Sequence, residues 1–259
     1  MRIDLGNGVY ANAHIAITHP DLPVRPRPAV VVLPGGAYLY CSPREAQPVA
    51  NQFIAAGCNT FTLFYSVGEN AKNKNPLKDV ARLIDHIRAN AAEYNINPQQ
   101  IATIGFSAGG HLSAWIASAY DDPALEGLDC RPNLAMACYP LVRSHPECFK
   151  LLLGLDTLPT EEQAQHLYTD NMVHSGTPPM FIWHTFTDEC VPLSDPYALA
   201  NALYKNGIPT EMHIFPHGPH GMSICTDETT NPADVSYNDP YLARWVDMAV
   251  TWMNKQFGR

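Results

Sequence analysis

Short apolar runs alternate with amphipathic helical segments along most of this sequence. The run AVVVLP (29–34) is continuously apolar and rich in β-branched residues, as expected of a strand that is buried on both faces. The clearest helix covers 75–96, where apolar residues recur on one face behind a proline in the first turn. This alternation predicts an α/β fold, with a doubly wound, mostly parallel sheet flanked by helices. Further strands are predicted at 59–66, 101–106, 134–140, 178–186 and 209–218, and further helices at 43–57, 108–120, 195–207 and 240–257.

The chain shows no internal repeat and no low-complexity linker that would divide it into domains. Residues 1–259 are therefore predicted to form a single α/β domain. The stretch 145–171 fits the alternation poorly and is predicted to be a small helical insertion over the edge of the sheet. The proline-rich HPDLPVRPRP (19–28) is interpreted as a stiff connector rather than a domain boundary.

The composition argues against several classes of protein. With 46% hydrophobic and 16% charged residues, the chain can bury a sizeable core and is not a disordered chain. Its formal net charge of -9 argues against a nucleic-acid binder, and no apolar run is long enough to span a membrane. Seven scattered cysteines without a CxxC pair, and an N-terminus without a signal-peptide core, predict a cytoplasmic protein with reduced thiols. The oligomeric state is left open, and a homo-oligomer is compatible with this composition.

The pentapeptide GFSAG places glycines two positions before and two positions after Ser107. A strand pattern precedes it and a helix pattern follows it, which is the context of a nucleophilic serine on a tight strand-to-helix turn. The helix N-terminus would favour negative charge developing beside the serine hydroxyl. The alternative is a serine that merely caps a glycine-rich helix. A dinucleotide-binding turn is disfavoured because the G-x-G-x-x-G spacing is missing.

A nucleophilic serine needs a base, and the base needs an acid that orients it. In this fold the chain order is serine, acid, histidine. Asp188 and Glu189 follow one predicted strand, and His217 and His220 follow the next, so both pairs should lie at the sheet edge that carries Ser107. His220 is preferred because a glycine follows it, which leaves room beside the imidazole.

Two other histidines are interpreted as structural residues rather than as the base. His184 lies at the end of its strand and is interpreted as a core or supporting residue, and His111 as a packing residue one helical turn after the serine. His213, His217 and His220 form a cluster, but no clear carboxylate or cysteine accompanies it as a metal ligand. The sequence therefore predicts no metal and no cofactor.

The tetrahedral intermediate of acyl transfer needs donors for its oxyanion. The loop LPGGAYLY (33–40) follows the first buried strand, and its glycines let the backbone approach a substrate closely. The expected donors are the amide of Gly36 or Ala37, together with the amide of Ala108 directly after the nucleophile. The alternative reading of this loop is an ordinary β-turn.

Three blocks of the sequence together resemble the α/β-hydrolase superfamily over nearly the whole chain. They are LPGGAYLYCSPREAQPVANQF, IATIGFSAGGHLSAW, and the long block from TPPMFIWHTFTDEC to FPHGPHGMS. The chain is most similar to bacterial acetylxylan esterases, other carbohydrate esterases and hormone-sensitive-lipase-like enzymes. The resemblance implies Ser107 as nucleophile, Asp188 as acid and His220 as base. The lipase-like members often have H-G-G-G where this chain has Pro34-Gly35-Gly36-Ala37, which favours the sugar-esterase branch.

The resemblance also implies a substrate class. A serine carboxylesterase of this kind would remove acetyl groups from xylo-oligosaccharides or related sugars, with an acylated sugar as its small-molecule partner. Tyr38, Tyr65 and Trp183 lie near strand ends and are predicted to line the substrate pocket, although aromatic rings also simply fill cores. The alternatives are a peptidase of the prolyl-oligopeptidase type and a non-catalytic binding module with the hydrolase fold.

Overall fold

A computed structural model describes residues 1–17, 21 and 25–259. Its strands are Arg2–Gly6 (β1), Val9–His14 (β2), Arg27–Leu33 (β3), Asn59–Phe64 (β4), Ile96–Phe106 (β5), Leu134–Cys138 (β6), Met180–Thr185 (β7) and Thr210–Phe215 (β8). They form an eight-stranded sheet in the order β1-β2-β4-β3-β5-β6-β7-β8. Strands β3 to β8 pair in parallel, whereas β1 and β2 run antiparallel at one edge.

Helices connect the parallel strands. Their bounds are Gln47–Ala55 (α1), Asn75–Ala89 (α2), Ala108–Ser118 (α3), Pro146–Leu153 (α4), Glu161–Ala164 (α5), Thr169–Met172 (α6), Ser194–Lys205 (α7) and Trp245–Gln256 (α8). Short 3-10 turns occupy Pro43–Glu45, Gly68–Asn70, Pro123–Leu125, Gln165–Leu167, Asp227–Thr229, Val235–Tyr237 and Leu242–Arg244. The predicted doubly wound α/β fold is confirmed.

The side chains of β3 show why this strand reads as an uninterrupted apolar run. Val31 and Leu33 pack into the core on the side of α2 and α3, whereas Val30 and Val32 pack on the opposite side, against α1 and α8. All of these valine and leucine side chains are fully buried. Burial on both faces removes the polar–apolar alternation that a half-exposed strand would show.

The N-terminal hairpin was not predicted. β1 and β2 are joined at Gly6-Asn7-Gly8, where all three residues have positive φ. The buried face of β2 consists of Val9, Ala11 and Ala13. Two of these side chains are single methyl groups, so the hydrophobic signal of this edge strand is weak. The strand is instead held in the sheet by its pairing with β4, from Tyr10 to His14.

The helix predicted over 75–96 ends earlier, at Ala89. The side chain of Asn90 donates to the carbonyl of His86 at 2.8 Å and caps the helix, and the chain then turns through Asn95 at a φ of 49°. Ile96 begins β5 instead, so this strand starts before the predicted position 101. Asparagine is among the residues that adopt positive φ most readily, which suits Asn95 to the turn that leads into β5.

Residues 145–171 contain short helices rather than a strand–helix unit. α6 lies against α3, the ring of Phe149 in α4 has its centroid 5.8 Å from that of His111 in α3, and the Cys148 thiol of α4 contacts the carbonyl of Ala37 in the loop after β3. Half of the predicted connector 19–28 lies outside the described residues, and its last two positions already belong to β3. Within the part of the chain that the structure describes, every helix is too short or too polar to cross a membrane.

Candidate active site

Ser107 sits on a sharp turn between β5 and α3. Its backbone has φ 54° and ψ -117°, a strained conformation for a residue with a side chain, of the kind that costs on the order of 1–3 kcal/mol. A Cβ on Gly105 would lie 1.8 Å from the carbonyl oxygen of Gly109, and a Cβ on Gly109 would lie 2.0 Å from that of Leu33. Glycine is therefore required on both sides, because strand, turn and helix pack backbone to backbone.

His220 lies between Ser107 and Asp188. Its Nε2 is 2.8 Å from Ser107 Oγ, and its Nδ1 is 2.7 Å from Asp188 Oδ2. Asp188 Oδ1 accepts the amides of Cys190 and Val191, each at 2.9 Å. Because this carboxylate is an acceptor, His220 Nδ1 carries the proton and Nε2 is free to accept the serine hydroxyl. The geometry therefore joins an acceptor, an imidazole and a hydroxyl in one hydrogen-bonded chain.

The electrostatics of Asp188 favour its charged form. Burial opposes ionisation, but the hydrogen bond from His220, the proximity of that imidazole and the amide of Val191 together lower the pKa of this carboxyl below its usual value. The side chain of Glu189 is exposed to solvent. Of the two neighbouring acids, it is Asp188 that contacts the imidazole.

The glycine after His220 has a different role from the one expected. A Cβ on Gly221 would meet nothing within 4 Å, so room beside the imidazole is not what this position provides. Gly221 has a φ of 79°, a conformation that favours glycine, and it lets the chain turn directly after the histidine.

The remaining histidines have partners of their own. His217 Nε2 contacts Asp239 at 2.7 Å, and His213 contacts Glu211 at 2.9 Å. The imidazoles of the predicted cluster therefore do not converge on one point. Among the described residues, no group of three or more His, Cys, Asp or Glu side chains is arranged to hold a metal ion.

His184 is fully buried behind Asp188. Its Nδ1 lies 2.9 Å from both the amide nitrogen and the carbonyl oxygen of Thr185, and its Nε2 lies 3.7 Å from Asp188 Oδ2. Burial lowers the pKa of this imidazole, which keeps it neutral beside the carboxylate. His184 thus supports the acid from behind and is out of reach of Ser107.

The loop after β3 presents backbone amides beside the serine. Gly36, Ala37 and Tyr38 all have positive φ, at 122°, 54° and 60°. The Gly36 carbonyl points back into the loop and accepts the amide of Leu39 at 2.8 Å. Among the described residues, no acceptor is recorded for the amides of Gly36, Ala37 or Ala108. These are the donors expected from the sequence, and both Gly36 and Ala37 remain candidates.

The aromatic side chains predicted to line the substrate pocket are core residues. Tyr38 and Trp183 have no exposed surface, and Tyr65 is 3% exposed. The Tyr65 hydroxyl donates to the carbonyl of Pro34 at 2.5 Å, and the indole of Trp183 stacks on that of Trp245 at 5.1 Å. With no surface to offer a sugar ring, they are not carried forward as substrate-binding residues. Tyr38 and Tyr65 pack in the core on the side of α2 and α3, whereas Trp183 packs on the opposite side of the sheet against α8.

His111 contacts the loop after β3 (33–40) from the core side. Its Nδ1 lies 2.7 Å from the Tyr38 hydroxyl, and its Nε2 lies 2.8 Å from the carbonyl of Leu167. A carbonyl only accepts, so Nε2 carries the proton and Nδ1 accepts from Tyr38. Complete burial lowers the pKa of His111 to about 4. The neutral imidazole therefore connects the loop to residues 145–171.

Glu45 was not singled out from the sequence, yet its carboxyl lies under the same loop. Its Oε2 accepts the amide of Gly35 at 2.8 Å, and its Oε1 accepts the hydroxyl of Tyr139 at 2.7 Å. An acidic residue at the start of a helix is usually solvated, so its position alone carries no sign of burial.

Comparison with known proteins places the chain among ester hydrolases. Residues 15–138 match the family model described as BD-FAE. The crystal structure of MGS-M1, an alpha/beta hydrolase enzyme from a Medee basin deep-sea metagenome library, is 34% identical and superposes with a TM-score of 0.84, covering 100% of this chain and 98% of that one.

Two further relatives are named as an acetyl ester-xyloside hydrolase and as an acetylxylan esterase. The crystal structure of an acetyl ester-xyloside bifunctional hydrolase from Caldicellulosiruptor lactoaceticus is 32% identical with a TM-score of 0.82, covering 96% of this chain and 88% of that one. The acetylxylan esterase of Xylanibacter ruminicola is 28% identical over 76% of this chain and 42% of its own length. The chain spans 33% to 57% of the length of the curated relatives it matches.

Proposed function

The chain belongs to the serine esterases of the α/β-hydrolase family and resembles carbohydrate esterases, and on that premise we propose that it removes acetyl groups from xylo-oligosaccharides or related sugars. The observation that carries the proposal is the hydrogen-bonded chain from Ser107 through His220 to Asp188, with open backbone amides beside the serine. A module that only binds a ligand does not require a serine in a strained conformation that is hydrogen-bonded to an imidazole. We also take residues 1–259 as one domain in which 145–171 are a small insertion.

The reaction follows from the positions of the protons. His220 Nε2 accepts the proton of Ser107 Oγ as this oxygen attacks the ester carbonyl carbon. The proton then passes from Nε2 to the sugar hydroxyl oxygen as the ester bond breaks, which leaves an acetyl group on Ser107. Water, deprotonated by the same nitrogen, releases acetate and restores the serine. Asp188 stabilises the imidazolium that forms in each half of the cycle.

The negative charge on the carbonyl oxygen needs donors that are already in place. The amide of Ala108 lies at the N-terminus of α3, and the amide of Gly36 or Ala37 lies in the loop after β3. Donors fixed by the fold require no reorganisation during the reaction. Loss of one such donor costs on the order of 3–4 kcal/mol of transition-state stabilisation.

Support for a sugar substrate comes from the relatives and from one exposed ring. Tyr40 is 57% exposed, and a Cβ on Gly36 would lie 3.3 Å from its Cδ2 atom, so the ring is close to the candidate amides. A solvent-exposed aromatic face beside the amides is suited to a pyranose ring.

All seven cysteines are free thiols, which favours a reducing, cytoplasmic location where small oligosaccharides would be the available substrates.

The test is a substrate panel with two matched variants. Acetylated xylo-oligosaccharides and short- and long-chain p-nitrophenyl esters are supplied to the wild-type protein, and released acetate or nitrophenol is measured. We expect acetyl esters to be preferred and Ser107→Ala to lower kcat by about 10⁴-fold or more. Ser144→Ala replaces a serine outside the hydrogen-bonded chain and controls for loss of a hydroxyl. A Ser107→Ala protein with full activity, or a preference for long acyl chains, would contradict the proposal.

A further inference from the structure

We infer that Glu45 is a positioning residue of this reaction, a buried carboxylate that ties the loop of oxyanion donors to the loop that carries His220. The inference rests on the proposed function, because it names a group that acts on the same site through its neighbours. Glu45 is 5% exposed, and its carboxyl contacts neither Ser107 nor His220 by a hydrogen bond.

The first connection runs to residues 33–40, the loop with the candidate oxyanion donors, called the donor loop below. Glu45 Oε2 accepts the amide of Gly35 at 2.8 Å, directly before Gly36. A Cβ on Gly35 would lie 2.7 Å from that carboxyl oxygen and 3.1 Å from Ser107 Cβ. Gly35 is therefore held between the carboxyl group and the nucleophile, with no room for a side chain. The carboxyl group fixes the part of the loop that is nearest to the reacting serine.

The second connection runs to the histidine loop through Tyr139. The Tyr139 hydroxyl donates to Glu45 Oε1 at 2.7 Å and accepts the amide of Ser223 at 3.0 Å. Its ring packs edge-on against His220, with centroids 5.1 Å apart and planes at 71°. The Ser223 hydroxyl donates to the carbonyl of Arg44 at 2.6 Å, so the histidine loop also contacts the residue directly before Glu45.

The direction of these hydrogen bonds identifies the working form of Glu45. The hydroxyl oxygen of Tyr139 receives the Ser223 amide, so the tyrosine proton points to Glu45. The Gly35 amide can only donate, so each carboxyl oxygen faces a donor and the ionised form satisfies both. Burial raises the pKa of Glu45, whereas these hydrogen bonds and the charges of His220 and Arg44 oppose the rise.

The consequence concerns the transition state rather than substrate binding. When Ser107 attacks, a negative charge forms beside the donor loop and a positive charge forms on His220. Both loops must keep their positions at that moment, and both are joined to the same carboxyl group. Disturbing Glu45 should therefore lower kcat, while KM for a small ester changes little.

The experiment compares Glu45→Gln, Tyr139→Phe and the double variant, with Glu126→Gln as an exposed control. Glutamine has one acceptor oxygen, so its NH₂ group either meets the Gly35 amide, donor against donor, or donates to the Tyr139 oxygen and turns the tyrosine proton away from residue 45. We expect each single variant to lower kcat for p-nitrophenyl acetate by about 10- to 100-fold with KM within about twofold. The double variant should be no slower than the slower single one, because the same connection is already broken.

A second measurement does not depend on activity. Hydrogen–deuterium exchange at the Gly35 amide should accelerate by about tenfold or more in Glu45→Gln and stay unchanged in Glu126→Gln. Thermal unfolding shows whether each variant is folded at the assay temperature.

Several results would overturn the inference. They are a folded Glu45→Gln protein with kcat within about threefold of wild type, a double variant whose loss is the product of the single losses, or unchanged exchange at Gly35. A wild-type protein that hydrolyses no ester would refute the proposed function and the kinetic role of Glu45 together. Exchange at Gly35 would still decide, separately, whether the carboxyl group holds the loop.

Discussion

Replacing Asp188 with asparagine should remove most of the activity while leaving the fold intact. Asp188 Oδ1 accepts two amides, from Cys190 and Val191, and Oδ2 faces His220 Nδ1. The single oxygen of asparagine will occupy the position between the two amides, since an NH₂ group there would meet two donors. The NH₂ group then points at His220 and forces Nδ1 to accept a hydrogen bond.

The magnitude follows from the tautomer. With Nδ1 as acceptor, the proton moves to Nε2, which can no longer accept the proton of Ser107. A base held in the wrong tautomer costs about 10⁴-fold in kcat, equivalent to about 5.4 kcal/mol of transition-state free energy. Substrate affinity should be affected far less, because Asp188 is buried behind His220.

The assay is steady-state hydrolysis of p-nitrophenyl acetate by Asp188→Asn, with Glu189→Gln as the matched control. The control changes the same kind of group at the neighbouring exposed position and should stay within about twofold of wild type. Circular dichroism and thermal unfolding verify that both variants are folded. If Asp188→Asn retained more than about a tenth of the wild-type kcat, the assignment of the acid and the tautomer argument would both fail.

Two further predictions concern stability. Because the pKa of His111 falls from 6.5 to about 4 on folding, the unfolded chain binds more protons between these values, so the neutral imidazole stabilises the fold fully above pH 6.5 and progressively less as the pH falls to 4. In urea unfolding, the free energy of unfolding of the wild type should fall by up to about 3 kcal/mol between pH 6.5 and pH 4, and His111→Gln should lack this fall. The same dependence of unfolding free energy on pH in both proteins would contradict the argument. Gly105→Ala should destabilise the protein by about 3 kcal/mol or more, because its Cβ would lie 1.8 Å from the carbonyl oxygen of Gly109. Gly127→Ala, where a Cβ meets nothing within 4 Å and only the φ of 86° is unfavourable, should cost about 1 kcal/mol in the same measurement, and similar losses for both glycines would refute the steric argument.

The sequence was most informative where parallel strands end. Ser107, Asp188 and His220 each follow the carboxyl end of a strand, and such ends share one edge of a sheet, so their proximity could be predicted from order alone. The donor loop was predictable for the same reason, because it directly follows β3. What remained open was the choice between neighbours, which depends on the direction of each side chain.

The supporting contacts could not be predicted, because they join residues far apart in the chain. Gly35 and Glu45 lie in the connection between β3 and α1, whereas Tyr139 follows β6 and Ser223 follows β8, and no spacing rule connects the three segments. Trp183 and Tyr38 illustrate the opposite error. An aromatic residue near a strand end can line a pocket or fill the core, and the outcome depends on what covers it. The weak apolar signal of Ala11 and Ala13 likewise hid the N-terminal hairpin.

The contact between His111 and Leu167 limits how this enzyme can be redesigned. Residues 145–171 form short helices outside the strand–helix alternation, so replacing this segment is a natural way to vary the protein. The carbonyl of Leu167 nevertheless determines which nitrogen of His111 is protonated, and that nitrogen decides whether Tyr38 can be held beneath the donor loop. A transplanted segment must therefore bring a backbone acceptor to the same point. Otherwise the swap will alter the rate of acyl transfer along with the specificity.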